Sequence, residues 1–521
     1  MASEAKRGLI RIAANYTRVV TTVLVGLVLV PLLLKGTGND GWALIALLGS
    51  TIGLAWMAQE IMRSSLIRAL GAAYHSGDPD AFRNTYNAAV VISAGVAFLT
   101  AGVFVVLWFV IGLLQIPPDL LPAARWLVVA RGAETFAGIL LAAPFNMYKV
   151  TERMVAYNAW LIVNRSCYLI AAALVTVLAI DDPGRAITLY ALMSAGLVFA
   201  SLLVSVAVMM LIDRRLIPAP AAINRDAIKS VLHIGGWNAA ATTAITSHYR
   251  LATVIMNLAF GLFGNLVFGL ALRLTDSVRQ LAVGMTGGLD AVSARLSTTQ
   301  SAAAVRALMH HSTRLHGLAT FPVAIGVVVL AEPVLHLWVG DSLEDPQTIL
   351  PPAIVLIRIM TLGMIARAIS DGWIHILYGA GHVRRYAPLI LLGGIINPLL
   401  AVLLLVILPT SMRYTAVAWA YSGVLIIIHA GLVPLVGAKA LQISYGQFFR
   451  PLVRPLLVAL VCSPILLLSR GQPDEWTLLH LVMVVGAYSV TYAAGCIMFV
   501  MDRAERVRFT KAALRHLPLR G

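Results

Sequence analysis

Fourteen apolar runs follow one another along the chain, at about 12–34, 42–62, 86–114, 123–145, 157–180, 187–212, 232–258, 264–289, 315–331, 352–378, 387–408, 415–437, 453–469 and 478–501. A helix rises 1.5 Å per residue, so roughly 20 apolar residues cross the hydrocarbon layer of a bilayer. In lipid every backbone N–H and C=O must be satisfied internally, which leaves helices as the reading of such runs. The pattern therefore predicts an all-α polytopic membrane protein with about 14 transmembrane helices. The polar stretches between the runs are short. Even the longest, 63–85, 290–314 and 332–351, could not hold an independent domain. The first run follows Lys6, Arg7 and Arg11, is too long for a signal-peptide core, and precedes no small-x-small cleavage site. It reads as an uncleaved first helix.

Composition agrees. Of 521 residues, 60% are hydrophobic and only 12% charged, about half the charged share of a soluble protein. The net charge of +16 would suggest nucleic acid if it were scattered. Instead, sorting the basic residues by side places 26 with the N-terminus and four, Lys35, Arg185, Arg413 and Arg470, opposite. That is the positive-inside asymmetry. It predicts both termini in the cytoplasm, an even helix count, and contact with anionic lipid rather than nucleic acid. The tail after Met501 alternates basic residues with Val507, Phe509, Leu514 and Leu517, a pattern open to either a surface-lying amphipathic helix or a solvated tail. Cys167, Cys462 and Cys496 sit inside apolar runs without metal-ligand or disulfide spacing, and read as packing residues.

The chain echoes itself. Gly36, Gly41, Ala43 and Leu44, between the first two runs, share the pattern G-x4-G-x-A-L with Gly264, Gly269, Ala271 and Leu272, 228 residues later. Lys149 precedes Asn164 by 15 residues, and His382 precedes Asn397 by the same 15, at an offset of 233. Six helices return a chain to its starting side, so the repeat is parallel. The division expected is an N-lobe at 1–212 with helices 1–6, a C-lobe at 213–437 with helices 7–12, and helices 13–14 with a basic cytoplasmic tail at 438–521. Two such lobes suit rocking between inward-open and outward-open states.

With these residues in view the chain resembles the polysaccharide flippases of the MOP superfamily, the O-antigen and exopolysaccharide translocases. Gly41-Trp42-Ala43-Leu44 resembles their helix 1–2 turn, with Asp40 where a tyrosine usually stands. Phe268-Gly269, followed by Arg273 and Leu274, resembles the opening of their helix 8, and the turn from Tyr378 through Gly381 to Arg384 resembles their helix 10–11 turn. The resemblance covers about residues 8–440. It implies movement of an undecaprenyl-diphosphate-linked oligosaccharide from the inner to the outer leaflet of a bacterial inner membrane. It also implies partners among membrane lipids and the polysaccharide polymerase and export machinery, with no nucleic acid and no cofactor.

Charges inside the runs locate the chemistry. Nine arginines lie there: Arg18, Arg125, Arg131, Arg165, Arg250, Arg273, Arg279, Arg358 and Arg367. Each costs about 2.5–3.5 kcal/mol at a helix centre on the translocon scale. They must face a wet cavity, pair with acids, or snorkel to an interface. Arg125 and Arg358, near helix ends, read as snorkelling; Arg131 and Glu134, three apart, as an ion pair on one face. Arg18 fits either a lipid-phosphate contact or a cavity. Arg273, Asp276 and Arg279 fall at i, i+3 and i+6 on one stripe of helix 8, where the N-half at the 228 offset has only Ile45, Leu48 and Thr51. Arg367, Asp371 and His375 form a second stripe on helix 10.

Guanidinium binds phosphate in a directional, bidentate way. The expected diphosphate-binding set is therefore Arg18, Arg250, Arg273, Arg279 and Arg367, with Asp276, Asp371 and Glu134 positioning the arginines or coupling transport. Asp276, flanked by two arginines in sequence, is expected to position them, and Asp371, with one arginine at i−4, to carry a coupling proton. The arginine surplus argues against an exporter of cationic drugs, while a peptidoglycan-precursor flippase or another MOP-type exporter stays open. A membrane-embedded polymerase or ligase would call for a large outward loop; the longest here is about 20 residues, with no basic residue. A non-catalytic scaffold would leave mid-membrane arginines without a purpose. No P-loop pattern occurs, so this chain is expected neither to hydrolyse ATP nor to be an enzyme.

Overall fold

The computed structural model describes the chain except residues 1, 219–224, 284–285, 287–288, 300–301, 470–475, 504 and 507–521. The alternating tail beyond Met501 lies mostly outside the described residues. Among those described there are helices and no strands. Eleven helices are long and apolar enough to cross a membrane, twelve if Leu121–Leu140 and Ala142–Val150, bent by 53°, form one span. The difference from fourteen has a physical cause. Two long helices each contain a non-helical glycine, Gly38 at φ 73° and Gly261 at φ 62°. A residue in that backbone region ends the i to i−4 ladder, so each long helix is two spans joined end to end.

Divided there, the helices are α1 (2–37), α2 (39–75), α3 (Pro79–Val110), α4 (Leu121–Leu140 with Ala142–Val150), α5 (Met154–Leu178), α6 (Pro183–Ile212), α7 (225–260) and α8 (262–283). They continue with α9 (Ala302–Val329), α10 (Pro346–Gly379), α11 (Val383–Ile407), α12 (416–441), α13 (Tyr445–Cys462) and α14 (Leu478–Phe499). Local chemistry sets their starts. Asp78 caps α3 by accepting from the N–H groups of Asp80 and Ala81, with Pro79 at the first position. Ser444 and Gln447 form a reciprocal capping box on α13.

The stretches expected as long loops are largely helical. Only residues 76–78 separate α2 from α3. Helix Leu289–Thr299 and the first half of α9 occupy 290–314, and helix Ala331–Val339 opens the 332–351 stretch. Their polar faces hid them from an apolar-run criterion.

The backbone corrects the register of both echoes. The glycine breaks lie 223 residues apart, not 228. A Cβ on Gly41 would come within 2.5 Å of Thr37 across the first break, and one on Gly264 within 2.8 Å of the Phe260 side chain across the second; these pairs share the 223 offset. The turns after α4 and α10 share one signature. Arg153 N–H bonds Tyr148 O with Glu152 at φ 59°, and His382 N–H bonds Leu377 O with Gly381 at φ 81°. This is the Schellman closure, repeated at 229 rather than 233. At 223, the counterparts of Arg273, Asp276 and Arg279 are Ser50, Gly53 and Trp56, again uncharged.

The residues group into two compact units. The first comprises Met1–Leu270, Trp338–Pro352 and Ala387–Tyr421. Its core joins Leu66 of α2, Phe82 and Tyr86 of α3, Phe145 and Tyr148 of α4, and Met209 of α6. A second cluster joins Leu33 of α1 to Val175 of α5 and Tyr190 of α6. The second unit comprises Ala271–Leu337, Ala353–Tyr386 and Ser422–Gly521. Small residues bring its helices close, as in membrane bundles generally. A Cβ on Gly363 of α10 would sit 2.6 Å from Ser422 Cα of α12, and one on Gly437 2.8 Å from the Phe448 ring of α13.

Candidate functional site

In the second unit the two charged stripes predicted on separate helices meet. Arg279 of α8 donates from Nε to Asp371 Oδ2 of α10 at 2.7 Å, and Arg367, one turn before Asp371, reaches Oδ1 at 2.9 Å. The acid is 5% exposed and Arg367 6%. One carboxylate thus holds two guanidinium groups, using both of its oxygens. Buried charges in low dielectric persist only with such compensation. Arg279 therefore pairs with Asp371 and not with Asp276 of its own helix. Asp276, half-buried, accepts from Gln280 Nε2 at 2.8 Å. Arg273 is half-buried on the same stripe. The sequence-based contrast, Asp276 between two arginines and Asp371 beside one, is reversed for Asp371 by a contact across helices that spacing along one helix cannot reveal.

Three further residues complete the cluster, and sequence reasoning missed them. His429 of α12 is buried, with Arg367 NH1 3.4 Å from its Nδ1 and 3.3 Å from its Nε2. Ser370 Oγ lies 2.6 Å from His429 Nδ1 and 3.3 Å from Arg367 O. His316 of α9 packs on Gly372, where a Cβ would come within 2.7 Å of the ring, and its Nδ1 lies 2.8 Å from Ser312 O. The available signal was a single histidine in each of the apolar runs 315–331 and 415–437. Trp373 locks this part of α10 in place, donating from Nε1 to Thr313 Oγ1 at 2.8 Å and meeting Phe448 and Phe449 edge-on. His375, the third member of the α10 stripe, is half-buried.

The first unit holds the other predicted residues except Arg358, which belongs to the second. Arg131 and Glu134 of α4 pair at 2.7 Å, Tyr168 OH donates to Glu134 at 3.0 Å, and the guanidinium lies 4.7 Å from the Tyr168 ring centre. This is a closed network of the kind that pins helices. Arg250 of α7 is buried and donates from NH1 to the carbonyl of Gly49 in α2 at 2.9 Å. Arg18 is half-buried, and its carbonyl accepts from Thr22. Arg125 stacks 4.8 Å from the Trp108 ring, while Arg165 and Arg358 are exposed.

Outside the spans, burial and then nearby Arg385 hold the His382 imidazole below its ordinary range. The described residues contain no group of three or more His, Cys, Asp or Glu suited to a metal ion.

Comparison with known proteins agrees with this architecture. Residues 148–345 match a family model described as polysaccharide biosynthesis protein. No curated protein matches the chain in sequence. Its fold is similar to a multidrug resistance MATE family transporter of the MOP superfamily in an inward-facing conformation, at 12% identity and a TM-score of 0.67, covering 83% of this chain and 98% of that one. It is also similar to the lipid II flippase MurJ in an inward closed conformation, at 12% identity and a TM-score of 0.63, covering 94% and 99%. At such identities the likeness speaks for the fold. Over residues 148–345 the chain is thus similar to that polysaccharide-biosynthesis family, and along most of its length it shares the fold of these two solved structures.

Proposed function

We propose that this chain is a flippase that carries undecaprenyl-diphosphate-linked oligosaccharide from the inner to the outer leaflet of a bacterial inner membrane. It works by alternating access of two six-helix lobes, with both termini in the cytoplasm. It makes and breaks no covalent bond. The observation that carries the reading is the Arg279–Asp371–Arg367 cluster, in which two guanidinium groups share one carboxylate inside membrane helices. A purely structural ion pair needs one arginine. The second adds about 2.5–3.5 kcal/mol of insertion cost, and an anionic ligand accounts for it. A diphosphate accepts bidentate bonds from both forks, while the prenyl tail stays in lipid. Arg273 on the same stripe supports the same headgroup. Arg250 and Arg18 belong to the reading as residues of the first unit.

The test is transport of lipid-linked oligosaccharide in proteoliposomes. Arg279→Lys and Arg367→Lys keep the charge and lose the fork. Each is expected to fold and to slow transport at least about tenfold, since a good charge-assisted pair contributes about 1.5–3 kcal/mol. Wild-type rates in both Lys variants would sink the diphosphate role. Preference for a peptidoglycan precursor over oligosaccharide carriers in the same assay would move the protein to the alternative flippase class.

A further inference from the structure

We propose that His429 is a positioning residue that holds Arg367 against Asp371 while its imidazole is neutral, and releases Arg367 on taking up a proton. The proposal rests on the reading of the Arg279–Asp371–Arg367 cluster as the diphosphate site. Its starting point is a contact through the face of the ring. Arg367 NH1 lies 3.4 Å from Nδ1 and 3.3 Å from Nε2, so it stands over the imidazole, out of line with either in-plane lone pair, as a cationic N–H against a neutral π face. Ser370 Oγ holds the ring by its edge, 2.6 Å from Nδ1, and lies 3.3 Å from Arg367 O. An imidazolium in the same place would lose the π attraction and set two positive charges about 3 Å apart in a low-dielectric interior.

The backbone is built for this contact. His429 lies in the π-helical turn Ile426–Leu432 of α12, the only π-helix among the described residues. A π turn shifts carbonyl bonding from i+4 to i+5 and re-aims side chains, and such turns concentrate at functional positions. Tyr445 OH of α13 donates to the carbonyl of Ala430 within that turn at 2.7 Å, giving it a partner from outside the helix.

Among the described residues these groups stand around the ring, element by element. From α10 they are Arg367 and Ser370, with Asp371 behind the arginine. Arg279 of α8 stands on the far side of Asp371. Tyr386 of α11 interacts electrostatically with Arg367, and Tyr445 of α13 reaches the π turn. Arg367 is therefore held from two sides, by a carboxylate and by a neutral imidazole. Protonation of His429 removes one hold and adds a positive charge. Arg367 then turns from Asp371 toward an incoming phosphate, and Arg279 remains as the counter-ion of Asp371.

The experiment measures binding of undecaprenyl diphosphate to the full-length protein in nanodiscs from pH 8 to pH 5.5, for wild type, His429→Gln, Ser370→Ala and His375→Gln. The probe's own phosphates titrate in this range, so the reading is the ratio of each variant's affinity to wild type. His429→Gln, neutral throughout, is expected to match wild type at pH 8 and to fall at least tenfold behind by pH 5.5. Ser370→Ala removes the acceptor that an imidazolium would favour, so its own rise in affinity should come at a lower pH than that of wild type, and its loss relative to wild type should open at the wild-type transition and stay smaller than that of His429→Gln. It also serves as the second variant if His429→Gln does not fold. His375→Gln removes another histidine of the α10 stripe that also acts on Asp371, and is expected to lose less at pH 5.5 than His429→Gln; an equal loss overturns the proposal. A His429→Gln ratio that stays constant with pH, or a Ser370→Ala profile identical to wild type, overturns the proposal while leaving the diphosphate reading intact. Wild type that binds no probe at any pH overturns the diphosphate reading, and the proposal with it.

Discussion

At the residue scale, Asp371 and Asp276 are both membrane carboxylates close to arginines in sequence, yet their surroundings differ. Asp371 is buried and bridges two guanidinium groups, whereas Asp276 is half-buried and accepts from a glutamine one turn away. Removing one partner of a buried ion pair leaves uncompensated charge and costs about 3–5 kcal/mol; losing a half-exposed polar contact costs about 0.5–1.5 kcal/mol. Asp371→Asn is therefore expected to lower the thermal midpoint several degrees more than Asp276→Asn, measured by intrinsic fluorescence in one detergent. Equal shifts would mean that the two arginines do not depend on Asp371. Spacing along the sequence put all these residues on the correct helices. It did not pair Arg279 with Asp371, because that contact depends on how α8 and α10 lie together within their unit.

At the element scale, the breaks and turns follow backbone sterics. Gly38 and Gly261 occupy the positive-φ region where L side chains are strained, and Glu152 occupies it at φ 59° in the turn after α4, as Gly381 does in the turn after α10. Gly261, at ψ −153°, lies in a positive-φ region that is essentially glycine's alone, where a side chain costs about 1–3 kcal/mol. Gly261→Ala is expected to destabilise by about that amount, and Glu152→Gly to be neutral or to stabilise slightly, since relief of strain is offset by the entropy of glycine. Gly363→Ala, pressed on the Ser422 backbone, should cost about 1–3 kcal/mol through overpacking. Thermal midpoints of the three variants check the order. A Gly261→Ala protein as stable as wild type would show that the break tolerates a Cβ. The echo G-x4-G-x-A-L marked the right turns at a register five residues off, because glycine and alanine also serve close packing and do not single out the residue that takes positive φ.

At the scale of the whole molecule, the distribution of basic residues bears on orientation. We expect Gly521 and the 290–314 stretch in the cytoplasm and the 332–351 stretch outside. The physical reason is the retention of lysine and arginine on the cytoplasmic face. A cysteine introduced at Ser342, in a background lacking Cys167, Cys462 and Cys496, should react with a membrane-impermeant maleimide added outside intact cells. Labelling only after the cells are opened would reverse the orientation. Helices Leu289–Thr299 and Ala331–Val339 occupy part of these two stretches. Ser342 follows the second of these and is half-buried, so slow labelling there is expected.

By itself the sequence determined the all-α membrane class, the rhythm of apolar spans, and the unusual load of arginine. Each of these is a one-dimensional property: bilayer thickness sets the run length, and the cost of a charge in lipid makes every mid-span arginine conspicuous. It also placed Arg367, Asp371 and Arg279 on two charged helical stripes. Only the tertiary structure decided which charges touch. Arg279 reaches across to Asp371, Arg250 turns to a backbone carbonyl of α2, and His429 enters the cluster from a π turn whose apolar sequence gives no sign of it. A side chain's partner depends on the rotation and depth of two helices at once, and neither is encoded in the spacing along either one.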